Sequence, residues 1–165
     1  MDTDTCATCG RASDVHDRHV RFQLPTPLFE LPDWEQLPGL WMSHATPTES
    51  VMLQADGYGA FIRALLPVRV KGGHALTYGV WIGVHPKQLQ EAFAVWWGDN
   101  PAYAELRLEG VLANRIAPWD LLAKPVVATV VNTDETPYCT SSPDPLLSRV
   151  IVELWPHDEA LAHLP

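Results

Sequence analysis

The chain has 165 residues, a formal net charge of -9 and 47 % hydrophobic residues. That length suits one domain with a real core, and the apolar fraction excludes wholesale disorder. The acidic balance excludes sequence-independent nucleic-acid binding, which depends on Lys and Arg neutralising phosphate.

Residues 1–24 are polar and carry Cys6, Cys9, His16 and His19. The opening Met1-Asp2-Thr3-Asp4-Thr5-Cys6 has neither the basic nor the apolar segment of a secretory signal. No apolar run approaches the roughly 20 residues that span a bilayer, so no membrane insertion is expected. These features predict a cytoplasmic chain. Its odd number of cysteines, 3, argues against a disulfide framework and towards metal binding or a lone thiol. Residues 25–50 hold Pro25, Pro27, Pro32, Pro38 and Pro47 and predict an irregular arm, pinned to the body by Trp34 and Trp41.

From position 51 the pattern tightens. A short strand is predicted over 51–56 and a long one over 58–70, with Ala60, Ile62, Ala64 and Leu66 on one side and Arg63 on the other. Lys71-Gly72-Gly73-His74 predicts a hairpin turn. The return strand over 75–84 puts Leu76, Tyr78, Val80 and Ile82 on one face and Gly79, Trp81 and Gly83 on the other. Two glycines flanking Trp81 leave space beside the indole, to be filled by another element or by a ligand. A helix is predicted over 86–97, because Leu89, Ala92, Phe93, Trp96 and Trp97 fall on one stripe and Gly98 can stop it. That stripe reads Trp96 and Trp97 as core rather than as a ligand cage.

Alternation at Leu106, Leu108, Gly110 and Leu112 predicts another strand, and the β-branched run over 125–132 a central one. Residues 133–144 read as a polar loop. A second main helix is predicted over 145–155, capped by Asp144 and ended by Pro156. The expected fold is a single α+β domain over 1–165: a largely antiparallel sheet, two main helices packed on one face, and an arm over 1–50 leading into a body over 51–165.

The chemistry concentrates in few places. Cys6-Ala7-Thr8-Cys9-Gly10 has the spacing of a zinc-knuckle turn, in which two thiolates face one ion and Gly permits the tight backbone after them. No second pair follows, so the remaining ligands must come from elsewhere. Cys139 and His16 are the chosen candidates, with His19 and His157 as further imidazoles. Such a structural zinc would staple the irregular arm to the body. A dithiol–disulfide role for the pair lacks the preceding strand that thioredoxin-like chemistry uses. Cys139 is also a candidate nucleophile, since it precedes a helix N-terminus. Tyr78, Trp81 and Trp97 are candidate pocket residues. Neither a phosphate-cradling glycine loop before a helix, a Gly-x-Ser-x-Gly elbow nor a His-Glu-x-x-His pair is present.

The Cys6-x-x-Cys9-Gly10 start, the proline-rich arm, Phe61-Ile62-Arg63 with Leu66-Pro67-Val68, and Tyr78-Gly79-Val80-Trp81-Ile82 before a helix together resemble the bacterial domain-of-unknown-function family 2199. Asp144-Pro145-Leu146 looks like that family's His-Pro-Leu element. The resemblance spans most of the chain and implies architecture and a metal site, with no reaction attached. Two departures stand out: Ser13 occupies the place of a family His after the Cys-Gly, and Asp144 replaces the His of His-Pro-Leu. Cys139, His16 or Asp144 would then complete the site, because carboxylate oxygen also ligates zinc.

Three functional readings follow. The first is a binding or accessory protein with a structural zinc, acting on an unknown protein or small molecule. The second is a small tailoring enzyme using an open zinc or the Cys139 thiol in a Trp-lined pocket. The third is an inhibitor or immunity-type protein whose acidic C-terminal face (Asp134, Glu135, Asp144, Glu153, Asp158, Glu159) blocks a basic partner.

Overall fold

A computed structural model describes residues 18–161. Nine strands and four α-helices are found among them: β1 (His19–Arg21), α1 (Thr26–Phe29), β2 (Trp41–Met42), β3 (Met52–Ala55), β4 (Gly59–Val70), β5 (His74–Val84), α2 (Pro86–Trp96), β6 (Arg107–Leu112), β7 (Pro125–Thr129), β8 (Tyr138–Ser141), α3 (Pro145–Val152), β9 (Leu154–Trp155) and α4 (His157–Leu161). The α+β class is as expected.

The long hairpin β4–β5 is the spine. Its strands pair antiparallel from Ala60↔Val84 to Val70↔His74, and Gly72 and Gly73 turn the chain with positive φ of 93° and 84°. β5 continues antiparallel to β6, β6 to β7 and β7 to β8. β8 then returns to β4 in parallel, at Leu65↔Tyr138. The pairing therefore closes on itself. Closure is possible because β4 is long and strands twist, so one edge of β4 serves several partners in turn. Arg63 N–H donates to Val51 O, Leu65 N–H to Pro137 O, and Lys71 N–H to Trp155 O. Where β5 and β6 converge, Gly110 is required: a Cβ there would stand 2.1 Å from Gly83 O.

Two predicted elements change. The loop over 133–144 contains strand β8, since Tyr138, Cys139 and Thr140 suit a half-buried pleat and fill the gap between β7 and β4. The helix predicted over 145–155 ends at Val152; Leu154 and Trp155 instead pair with Arg69 and Val70 as β9. An open strand edge competes successfully with the last helical turn, and Glu153 is already extended at φ -88° and ψ 157°.

Both faces of the hairpin are covered. On one, Ile62, Leu66, Val68, Leu76, Tyr78 and Val80 join β6–β8, Leu89 and Ala92 of α2, and Leu147 and Val150 of α3 in the main core. On the other, Leu53, Phe61 and Trp81 meet Leu24 and Leu28 of the arm, with Trp34, Leu37, Leu40 and Met42 packed around them. Trp34 thus pins the arm as expected. Trp41 meets the body elsewhere, edge-on to Phe93 of α2, and stays 40 % exposed.

Candidate functional site

Cys6, Cys9 and His16 lie outside the described residues, so the proposed knuckle has no geometry here. Cys139, the third intended ligand, sits in β8 opposite Ala128 and is buried in the main core. Burial pushes its thiol up to about 12. A nucleophile needs the opposite, a thiolate in a polar, reachable place. The Cys139 side chain packs as part of the main core. Among the described residues no group of three or more His, Cys, Asp or Glu comes together as a metal site. Asp144 is occupied as the cap of α3: it accepts from Leu147 N–H at 3.0 Å, which holds its carboxyl below the usual range, and lies 3.5 Å from Lys124.

The three pocket candidates do not converge. Tyr78 faces the main core, Trp81 faces the arm, and Trp97 is 40 % exposed after α2. The space beside Trp81 is full. Its cross-strand neighbour Arg63 lays its guanidinium 4.1 Å from the indole centroid, a cation–π stack. A Cβ on Gly79 would meet Arg21 Cγ at 3.3 Å, and one on Gly83 would meet Val111 Cγ2 at 3.3 Å.

Arg63 is the residue that sequence reasoning missed. It is 1 % exposed, and each N–H direction of its fork finds a backbone carbonyl. Nε donates to Ser50 O at 3.1 Å; Nη1 donates to Phe22 O and, at 3.5 Å, to Gly79 O; Nη2 donates to Gln23 O at 3.3 Å and Pro47 O at 3.0 Å. No carboxylate among the described residues pairs with it. Burial, reinforced by nearby Arg21, pushes it down to about 9. The only signal in the sequence was an Arg in the middle of the apolar run from Ala60 to Val68. Asn114 supports the same junction, accepting from Trp81 N–H at 2.7 Å and donating to Leu24 O at 2.9 Å. Arg63 and Asn114 therefore do for residues 22–50 what a metal staple was expected to do.

The strongest surface feature is aromatic. Phe93 and Trp97, read as core, are 46 % and 40 % exposed. Phe93 touches Trp41 edge-on at 5.9 Å and Trp97 at 5.6 Å; Trp97 also meets His44 at 5.8 Å and Trp96 at 6.5 Å, and Trp96 meets Tyr103 at 5.3 Å. A shallow cleft of about 250 Å³ opens between Trp41, Phe93, Leu89, Gln54 and Gln90. Helix α2 buries only Leu89 and Ala92 because the body supplies a narrow groove for it, and β2 brings Trp41 beside the remaining rings.

The model of an uncharacterised protein family conserved in bacteria, DUF2199, matches residues 5–143. The chain belongs to that family. No curated protein and no solved structure matches it. The match stops just short of Asp144, so the His-Pro-Leu comparison lies outside it. Two segments that carried the resemblance, Phe61-Ile62-Arg63 and Tyr78-Gly79-Val80-Trp81-Ile82, meet in this DUF2199 chain at the Arg63–Trp81 stack.

The DUF2199 fold also has an apolar groove of about 440 Å³ lined by Pro27, Tyr58, Phe61, Val84 and Leu122. Among the described residues, Tyr58 is the only ionisable group that lines it. No helix among the described residues is long and apolar enough to cross a membrane.

Proposed function

We propose that this DUF2199 member is a binding protein that recognises a protein partner through the aromatic surface of Trp41, Phe93 and Trp97. One observation carries the reading: three large rings, joined through Phe93, each remain 40 % or more exposed on one surface. Contiguous apolar surface of this kind marks interaction sites, and Trp is enriched where binding energy concentrates. The favoured partner presents basic and aliphatic side chains. Indole faces attract guanidinium and ammonium groups, and a net charge of -9 steers a basic partner inward. Exposed Glu91 and Asp99 lie close by in sequence and supply acidic rim groups.

A structural zinc held by Cys6 and Cys9, with His16 as a third ligand, remains part of the proposal. The thiolate spacing supports it, and the ion would secure the chain ahead of β1. Cys139, buried in β8, is the fourth proposed ligand. Elemental analysis of the purified protein and of Cys9→Ser tests this part: one zinc per chain is expected, lost in the variant.

Selection of a random peptide library on the intact protein, with counter-selection on Phe93→Ser/Trp97→Ser, tests the surface. Basic, aliphatic peptides are expected to bind the natural chain, weaken as salt rises, and lose at least about tenfold in affinity to the variant. Peptides that bind both proteins equally, or an acidic consensus, would overturn the assignment. So would a concentration-dependent dimer that the double substitution abolishes, since a second copy would then own the surface.

A further inference from the structure

A second site, independent of the aromatic surface, lies between β1, α1 and Asn114–Arg115. It is a cavity of about 450 Å³, a size ordinary for small-molecule sites. Phe22, Leu24 and Phe29 give it an apolar side, and Arg21, Asn114 and Arg115 a polar one. Phe29 stands at this cavity 66 % exposed, far more than its apolar ring would otherwise favour.

The charge of this wall is opposite to that of the molecule. Arg115 is engaged by Glu30, Nε to Oε1 at 3.2 Å, and that is the one carboxylate lining the cavity among the described residues. Arg21 spends Nε on Thr48 O at 2.8 Å, and no carboxylate among the described residues pairs with its guanidinium. Directly behind, the carbonyls of Phe22 and Gln23 are already claimed by the buried Arg63 cation. Arg21 and Arg63 feel each other, since the first lowers the proton affinity of the second. Among the described residues, two guanidinium groups and one carboxylate line the cavity, with the Arg63 guanidinium buried behind it, in a chain whose net charge is -9. Such a concentration of unbalanced positive charge beside apolar walls is what an amphiphilic anion requires.

We propose that this cavity binds a small organic oxyanion with an apolar body, its head on the Arg21 guanidinium and its chain against Phe22, Leu24 and Phe29. A short-chain carboxylate and an alkyl phosphate share this chemistry, and the arms of the experiment separate them. Bound anion would also relieve the repulsion between Arg21 and Arg63, linking ligand occupancy to how firmly the arm holds the hairpin.

The test is thermal unfolding of the full chain with sodium octanoate, octyl phosphate, 1-octanol and sodium acetate, together with amide chemical-shift mapping of octanoate. Octanoate or octyl phosphate, whichever is the better head group, is expected to raise the midpoint saturably, while octanol and acetate do not. Arg21→Gln is expected to weaken binding by about tenfold, as the loss of one charge-assisted contact implies, and Arg21→Lys by less. Shifts should concentrate at Phe22–Leu24 and Asn114. Equal stabilisation by octanol, an unchanged affinity in Arg21→Gln, or shifts centred on the groove at Tyr58 would each overturn the site. Should Arg21→Gln not fold, the shift map on the natural chain decides alone.

Discussion

On one face of the β4–β5 hairpin, Ile62, Leu66, Val68 and Val80 are sealed by aliphatic side chains from strands and helices. On the other, Trp81 and Phe61 are covered by an arm with little regular structure, tied down by one buried guanidinium and one buried amide. The first face is held by area removed from water, which is forgiving of shape and spread over many residues. The second is held by directional bonds to carbonyls that would otherwise be buried without partners, so its stability is concentrated in few atoms. A chain rich in proline cannot satisfy its backbone through its own helices or sheets, and Arg63 supplies the missing donors.

The sharpest way to break this contrast is Arg63→Leu, which takes the guanidinium donors from Phe22 O, Gln23 O, Pro47 O and Ser50 O, while Gly79 O keeps Phe22 N–H. A loss of about 3–5 kcal/mol is expected, with hydrogen-exchange protection disappearing first over residues 22–50. Arg63→Lys should recover little, because three donors on a point charge cannot replace a five-donor fork. Equal loss of protection in β6–β8 would show that the two faces are not separate.

Leu66→Ala attacks the other face. It is expected to cost about 2–5 kcal/mol in chemical denaturation and to lower protection uniformly, without singling out the arm. The buried thiol probes the same core. In a Cys6→Ser/Cys9→Ser variant, a thiol reagent should find nothing to react with until denaturant is added. Because the folded thiol titrates near 12 rather than 9, the unfolded chain releases its proton first. Stability is therefore expected to be flat below that ordinary value and to fall as pH rises from it towards 12.

Phe93→Ser/Trp97→Ser should cost no more than about 2 kcal/mol, since these residues are already 46 % and 40 % exposed to water. If stability collapses, these rings belong to the core and the proposed surface disappears. The smallest effect is expected from Asp144→Ala, which removes the side-chain cap of α3 and should lower the unfolding midpoint slightly. The carboxyl of Asp144 is held below its ordinary value, so the cap operates above that value and weakens as acid protonates it in the folded state.

Much of the scaffold was legible in the residues. Strict alternation on both sides of Lys71-Gly72-Gly73 announced the hairpin, and it runs where expected. Helix α2 begins at Pro86 behind its His85 cap, and α3 begins at Pro145 behind Asp144. What was misjudged shares one cause. The stripe of α2 has the spacing of a buried helix, yet burial depends on how wide a groove the rest of the chain provides, and here Phe93 and Trp97 fall outside it. Cys139 looked like a reachable thiol in a loop because nothing local reveals that β4 has a free edge waiting for β8. Trp155 left its helix for the same reason.

The amino-acid order alone determined the period of each element, the points where glycine and proline interrupt it, and the acidity of the whole. Those are local matters, set by backbone sterics and by which side of a strand or helix is apolar. Tertiary structure decided that the strands close into a ring, that Arg63 becomes the fastening of the arm, and which rings stay in water. Each of these depends on partners distant in the chain, because a carbonyl, a strand edge or a groove acquires its value only when something arrives to occupy it.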